Sequence, residues 1–455
     1  MIINEKQIND YLNNPSLDPV ENIIDKSLNL KGLSLAETAR LLLADSEKQI
    51  KKIFKAAKYI KEKIYGKRLV LFAPLYTTNE CSNNCLYCAF RRDNKKLKRR
   101  SLTLEEIRRE IMILEAEGHK RILLVAGEDL NEAAISNLEK IIKTIYETKN
   151  GRGEIRRVNV NVAPLTVSDF KRLKRAGIGT YQLFQETYHR ETYKICHPAG
   201  PKADYDFRLT ALDRALQAGI NDVGIGVLFG LYDYKFEVLA LLTHARYLDS
   251  TYNVGPHTIS VPRIEPARGA PLADSPPHPV SDPEFKKLVA ILRLAVPYTG
   301  IILSTRETAQ LRNELFSLGV SQISAGSRTD PGGYSQNKQE AAQFQLYDDR
   351  STAQVIGDVL KLGYIPSFCT ACYRLGRTGE DFMSLAKPGE ISHFCLPNSL
   401  LTFKEYLLDY GNPKLISLGD KIINRQVKEI RNKNIQNLTI KKLMELEAGK
   451  RDLYF

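Results

Sequence analysis

No stretch of this 455-residue sequence approaches 18 uncharged apolar residues, which excludes a membrane-spanning helix. Its first ten residues lack the basic-then-apolar layout of a secretory signal, so a cytoplasmic protein is expected. Compositional extremes are missing too. Apolar residues at 43%, aromatics at 8% and charged residues at 26% match ordinary globular proteins and exclude disordered and collagen-like classes. Cysteine is scarce and odd in number: seven thiols in a chain with no export signal argue against a disulfide framework.

Basic residues are in surplus, 66 Lys and Arg against 53 Asp and Glu, a net charge of +13. Seven of the positive charges fall in residues 91–100 (RRDNKKLKRR) beside a single aspartate. The run lacks the interleaved aromatics with which single-strand binders stack on bases. It reads as a solvated loop or as an electrostatic docking surface for an acidic protein or RNA, with nucleic acid the less expected of these partners.

A prior of about 150 residues per domain suggests three units, and one barrel of roughly 250 with appendages fits equally well. Residues 1–65 read as helical, with a capping box at Ser34 and Glu37 opening an amphipathic run towards Tyr65. After Gly66, short β-rich segments alternate with helical stretches. Eight strands are expected, at 68–75, 121–126, 158–163, 180–186, 223–229, 258–262, 300–305 and 322–325. Eight is the number that closes a (β/α)8 barrel. Thr103 with Glu106 starts one helix, and Gly118, Gly177 and Gly219 follow three others. The proline-rich stretch 263–282 is the longest irregular segment, and beyond Ser351 the βα rhythm stops. The expected domains are a helical extension over 1–65, the barrel over 66–350 and a C-terminal domain over 351–455.

The cysteines are clustered: Cys81, Cys85 and Cys88, then Cys369, Cys372 and Cys395, with Cys196 alone. The first group follows strand one, at the mouth where such barrels place their chemistry. Three thiolates on one short loop leave one iron of a four-iron cubane open, whereas ordinary electron-transfer clusters take four. The motif Cys81-x3-Cys85-x-Tyr87-Cys88, placed there, resembles the radical-SAM superfamily. That resemblance implies S-adenosylmethionine chelated at the open iron and cleaved to a 5'-deoxyadenosyl radical. It makes Tyr87, Gly127 and Glu128 (in Ala126-Gly127-Glu128 at the end of strand two) and Glu186 at the end of strand four cofactor contacts. Gly224 and Gly226 are explained nearly as well by barrel packing.

The second group, Cys369-x2-Cys372-x22-Cys395, taken alone, also fits a zinc site completed by His393. Residues 369–402 (CTACYRLGRTGEDFMSLAKPGEISHFCLPNSLLT), with YQLFQETYHRETY at 181–193 and GPHTISVPR at 255–263, resemble the radical-SAM tyrosine lyases that mature [FeFe]-hydrogenase, the hydrogenase maturase G family. The likeness runs essentially end to end. It implies cleavage of the L-tyrosine Cα–Cβ bond to p-cresol and dehydroglycine. Carbon monoxide and cyanide then form at an auxiliary four-iron cluster held by Cys369, Cys372 and Cys395, with an additional iron on His257 and a free cysteine. The product is an iron-carbonyl-cyanide synthon for the H-cluster. Implied partners are L-cysteine, iron, companion maturases and an electron donor such as ferredoxin or flavodoxin. The alternative is the tyrosine lyase of thiamine thiazole synthesis, which lacks this cysteine-bearing region.

An amino-acid substrate needs a cation for its carboxylate, best supplied as a planar guanidinium. Arg306 at the end of strand seven matches the family's clamp, with Ser304 as its helper. His257 precedes strand six and so faces the N-terminal mouth, opposite the first cysteine group. Strands of five to seven residues make the barrel roughly 15 to 25 Å tall. Two clusters at opposite ends require the tyrosine fragment to cross the interior.

Overall fold

The computed structural model describes residues 2–129, 134–336 and 341–455. Eight parallel strands follow one another around a closed sheet: β1 (Arg68–Thr78), β2 (Arg121–Ala126), β3 (Arg157–Asn161), β4 (Tyr181–Gln182), β5 (Val223–Gly226), β6 (Thr258–Ser260), β7 (Gly300–Leu303) and β8 (Val320–Ser324). Closure comes from β8 returning to β1, with Val70 opposite Gln322 and Phe72 opposite Ser324. The fold is a (β/α)8 barrel, as the alternation of β-branched runs and amphipathic segments requires.

Several strands are shorter than expected at their C-terminal ends. Residues 183–186 still bond to the neighbouring strand, Leu183 N to Gly224 O (3.0 Å) and Gln185 N to Gly226 O (3.2 Å), but regular pairing gives way to a single bridge between Val227 and Glu186, which takes φ +70°. The helices start and stop as their end residues dictate. At Thr103, the hydroxyl accepts from Glu106 N (3.2 Å) while the Glu106 carboxylate accepts from Thr103 N (2.8 Å). Gly118 ends that helix at φ +86°, where an added Cβ would run into the Tyr406 ring, so the turn is also a docking point.

The first 65 residues fold as four helices, Glu5–Asn13, Val20–Ser27, Leu35–Leu42 and Glu47–Tyr65. The run after Ser34 is therefore interrupted, since Ser46 begins a new helix. Helix Glu47–Tyr65 packs on Asp282–Ala295, and Glu5–Asn13 on Tyr234–Tyr252.

After β8, helix Thr352–Lys361 leads to a ninth strand, β9 (Ile365–Ser367), which pairs in parallel with Arg68 to Val70 of β1. The C-terminal region thus shares the barrel's sheet. Beyond it, helix Ser392–Tyr410 packs on β9 and carries helices Pro413–Lys428 and Lys433–Glu447 on its other sides. Phe368 and Tyr406 stack at 4.9 Å across this junction. No helix among the described residues is long and apolar enough to cross a membrane.

Candidate active site at the two mouths of the barrel

The loop after β1 is held by its own polar side chains. Asn79 donates to Lys98 O (2.9 Å) and accepts from Arg100 N (2.7 Å). Asn83 donates to Glu128 Oε2 (2.6 Å) and accepts from Lys202 N (2.7 Å). Leu86 N donates to Cys196 O (3.0 Å), and the buried Cys196 belongs to one apolar cluster with Cys85 and Tyr87. The fixed loop presents Cys81, Cys85 and Cys88 to a cavity at this mouth of the barrel.

Tyr87, Gly127, Glu128, Glu186, Ser304 and Arg306 line the same cavity, so every residue singled out for this mouth faces one space. Gly127 must lack a side chain: a Cβ there would fall on the carbonyl oxygen of Glu80. Tyr87 gives its hydroxyl proton to His197 Nε2 (2.8 Å), because His197 Nδ1 is committed to Tyr193 O (2.8 Å). That leaves His197 no nitrogen for a metal.

Lys202 and Arg208, which local spacing gave no means of finding, bind the two carboxylates. Lys202 Nζ lies 2.7 Å from Glu186, and Arg208 lies 3.0 Å from Glu128 and 3.6 Å from Glu186. Burial works to raise the Glu128 carboxyl, but Arg208 and Lys202 hold it below its ordinary value. Arg306 is not paired with Glu307, which binds Arg263 instead. Its guanidinium lies 3.3 Å above the Phe344 ring, and its other partner is Arg263 O at 3.4 Å. Gln343, beside Phe344, spans Tyr76 and Cys88: its Oε1 accepts from Tyr76 (2.9 Å) and its Nε2 lies 3.5 Å from the Cys88 sulfur.

At the other mouth, His257 Nδ1 faces Asp222 at 3.4 Å, and its ring stacks on Phe382 at 4.0 Å. Burial, opposed by Asp222 and reinforced by Arg157, Arg121 and Arg68, pulls His257 down to about 4. The imidazole is neutral, with Nδ1 turned to a carboxylate and Nε2 left as the donor nitrogen. Arg68 donates to Cys395 Sγ (3.2 Å) and Arg121 to Cys369 O (2.6 Å), so these cysteines and His257 share the positive field of the same two arginines. His393 is exposed, on a groove with Glu62 and Lys63, and takes no part.

All seven cysteines are free. Burial pushes Cys81 and Cys395 up to about 11, and raises Cys85, Cys88 and Cys369 as well. Such thiols stay protonated until a metal displaces the proton. A zinc ion needs its sulfurs within about 2.3 Å of one point. Among the described residues no three His, Cys, Asp or Glu side chains are gathered closely enough for one ion. A cubane instead takes each thiolate on a different iron and suits wider spacing. Among the described residues, Arg68 Nε, Arg121 Nε, Asp222 Oδ1 and Thr258 Oγ1 are buried with no hydrogen-bond partner, so the surroundings of His257 and Cys395 carry polar atoms that the protein itself does not satisfy. The first donor set, three thiols on one loop facing the cavity, fits an iron–sulfur cluster.

The Radical SAM superfamily profile matches residues 75–243, and the Biotin and Thiamin Synthesis associated domain matches residues 260–365. A solved structure of HydG, a maturase of the [FeFe]-hydrogenase, is 52% identical, covers 100% of both chains and superposes with a TM-score of 0.96. The chain belongs to the HydG family of radical-SAM hydrogenase maturases. HydG from Carboxydothermus hydrogenoformans is similar at 44% identity, covering 96% of this chain and 97% of its own, with a TM-score of 0.84. The 2-iminoacetate synthase of Escherichia coli (strain K12) is 28% identical over 358 residues, 78% of this chain and 92% of that protein.

Proposed function

We propose that this HydG-family enzyme cleaves the Cα–Cβ bond of L-tyrosine, releasing p-cresol. The remaining glycine fragment becomes carbon monoxide and cyanide for an iron synthon of the [FeFe]-hydrogenase H-cluster. The observation that carries the reading is the pair of thiol groups at opposite mouths of one barrel, one on the β1 loop and one against Arg68 beneath it.

Cys81, Cys85 and Cys88 would hold a four-iron cluster, and Cys369, Cys372 and Cys395 an auxiliary one, with His257 as ligand of an additional iron. The first cluster, when bound, supplies the electron that splits S-adenosylmethionine into a hydrogen-abstracting radical. Gly127 lets the cofactor's amino group approach bare backbone. Glu128 and Glu186, now held by Arg208 and Lys202, present carboxylates to its ammonium and ribose. Tyr87 backs the third cysteine.

Arg306 clamps the tyrosine carboxylate through its planar fork, assisted by Ser304, while Phe344 covers one face of the guanidinium and keeps water from it. Below the cavity's middle ring of Phe72, Leu123, Gln182 and Ile302, the barrel floor turns polar, with Arg121 3.4 Å from Gln322 and Thr258 unpartnered. A polar floor suits passage of a small imino acid towards the second cysteine group. That group also favours this reading over a lyase serving thiamine synthesis.

Anaerobic incubation of reconstituted protein with tyrosine, S-adenosylmethionine and a reductant tests the assignment. Cresol, carbon monoxide and cyanide are expected together. Cresol alone would mark the thiamine-type lyase, and consumption of S-adenosylmethionine without cresol would overturn both.

A further inference from the structure

The proposed reaction draws an electron into the first cysteine group from a donor outside the chain. The basic run that follows Cys88 is not a free loop. Asn94, 5% exposed, donates to Ala89 O (2.7 Å) and Arg268 O (2.8 Å). Leu97 is buried against Tyr76 and Phe90. Arg99 donates to Asn79 O (2.6 Å) and Phe90 O (2.8 Å), and Arg91 to Asn84 (2.7 Å). Apart from Arg268 O, on the segment after β6, these acceptors belong to the cysteine loop and its flanks, so the run is fastened to the site it borders.

What remains faces water. Arg92, Lys95, Lys96, Lys98 and the adjoining Arg268 are exposed, and Asp93 is the single acidic residue of the run 91–100. Arg92 pairs with Asp93 at 3.3 Å; Lys95, Lys96, Lys98 and Arg268 have no ion-pair partner among the described residues. Chain geometry keeps the Arg92 Cα within about 14 Å of that of Cys88. A cluster of one sign on a fixed frame attracts an oppositely charged macromolecule at long range.

We infer that Arg92, Lys95, Lys96, Lys98 and Arg268 form a preorganised landing platform for a small acidic protein that carries single electrons to the first cysteine group. The inference rests on the radical-lyase reading. Nucleic acid is disfavoured because the exposed part presents no aromatic ring for stacking; Phe90 is buried.

The test uses full-length reconstituted protein and the Lys95→Glu/Lys96→Glu/Lys98→Glu variant, whose substituted side chains are exposed. Cluster reduction is followed by stopped flow with flavodoxin hydroquinone as the acidic carrier and with photoreduced deazaflavin as a small reductant, at low and high ionic strength. The flavodoxin rate is expected to fall with salt, and to fall roughly tenfold or more in the variant at low salt, while the deazaflavin rate holds. Equal flavodoxin rates at low salt would overturn the platform, as would loss of single-stranded RNA binding with the flavodoxin rate intact. Calorimetric affinity for oxidised flavodoxin tests the platform without turnover, whereas deazaflavin-driven cresol formation tests the lyase reading alone. Weaker flavodoxin binding by the variant supports the platform even where cresol is absent, and unchanged binding refutes it.

Discussion

Arg68 donates to the sulfur of Cys395 across 3.2 Å, joining residues 327 positions apart. Arg68 opens β1, and the far end of that strand leads into the loop of Cys81. One strand therefore ties the two thiol groups together through the barrel wall. Burial raises the Cys395 thiol while Arg68 pulls it down, so the guanidinium eases the proton loss that iron binding demands.

Replacing that guanidinium tests the link. Arg68→Met is expected to lower bound iron by about half, with the first site spared, if each triad holds one cluster. Arg68→Lys should recover part of it. Iron analysis with electron paramagnetic resonance on the reconstituted variants checks this, and full iron content in Arg68→Met would contradict it.

Arg306→Lys keeps the charge but loses the planar fork. The expected result is a rise in the KM for tyrosine of about ten- to a hundredfold, from loss of a charge-assisted hydrogen bond of about 1.5–3 kcal/mol. Binding of S-adenosylmethionine should not change. An unaltered KM would remove Arg306 from the substrate site.

Gln343→Leu strips the amide donor from Cys88 and the acceptor from Tyr76. Hydrogen bonds to cluster sulfurs favour the reduced, more negative state, so the first cluster's potential should fall, on the order of 40 mV for a bond of about 1 kcal/mol. A redox titration followed by paramagnetic resonance decides it; an unchanged or higher potential refutes the role.

Glu237, 1% exposed in helix Tyr234–Tyr252, accepts from Tyr188 N (3.0 Å) and from the Thr187 hydroxyl. Burial raises its carboxyl from 4.5 to about 8. Between those values the folded chain holds the proton more firmly than the unfolded chain does. Its stabilising contribution is thus complete below about 4.5 and lost as pH rises through 8. Unfolding of wild type from pH 6 to 8 should show a loss of about 1 kcal/mol per pH unit that Glu237→Gln lacks. Parallel curves for the two proteins would contradict this.

The barrel's eight strands were legible because β-branched runs and glycine-ended helices are local signals. So were the first thiol motif, the Gly127 turn and the Arg306 position, each placed just after a strand end. β9 was not, since Ile365–Ser367 is three residues with proline at its centre, tolerable only because it joins the sheet beside the start of β1. Lys202, Arg208 and Gln343 escaped for another reason. Their partners lie 16 to 267 positions away, and no periodicity encodes a contact made by closing a barrel.

The most direct measurement is paramagnetic resonance of the Cys369→Ala/Cys372→Ala/Cys395→Ala variant, reconstituted, reduced and examined with and without S-adenosylmethionine. The account predicts a four-iron signal from the first cysteine group that shifts when S-adenosylmethionine is added, together with cresol formation and no carbon monoxide. A signal indifferent to S-adenosylmethionine, or zinc in place of iron at Cys81, Cys85 and Cys88, would contradict it.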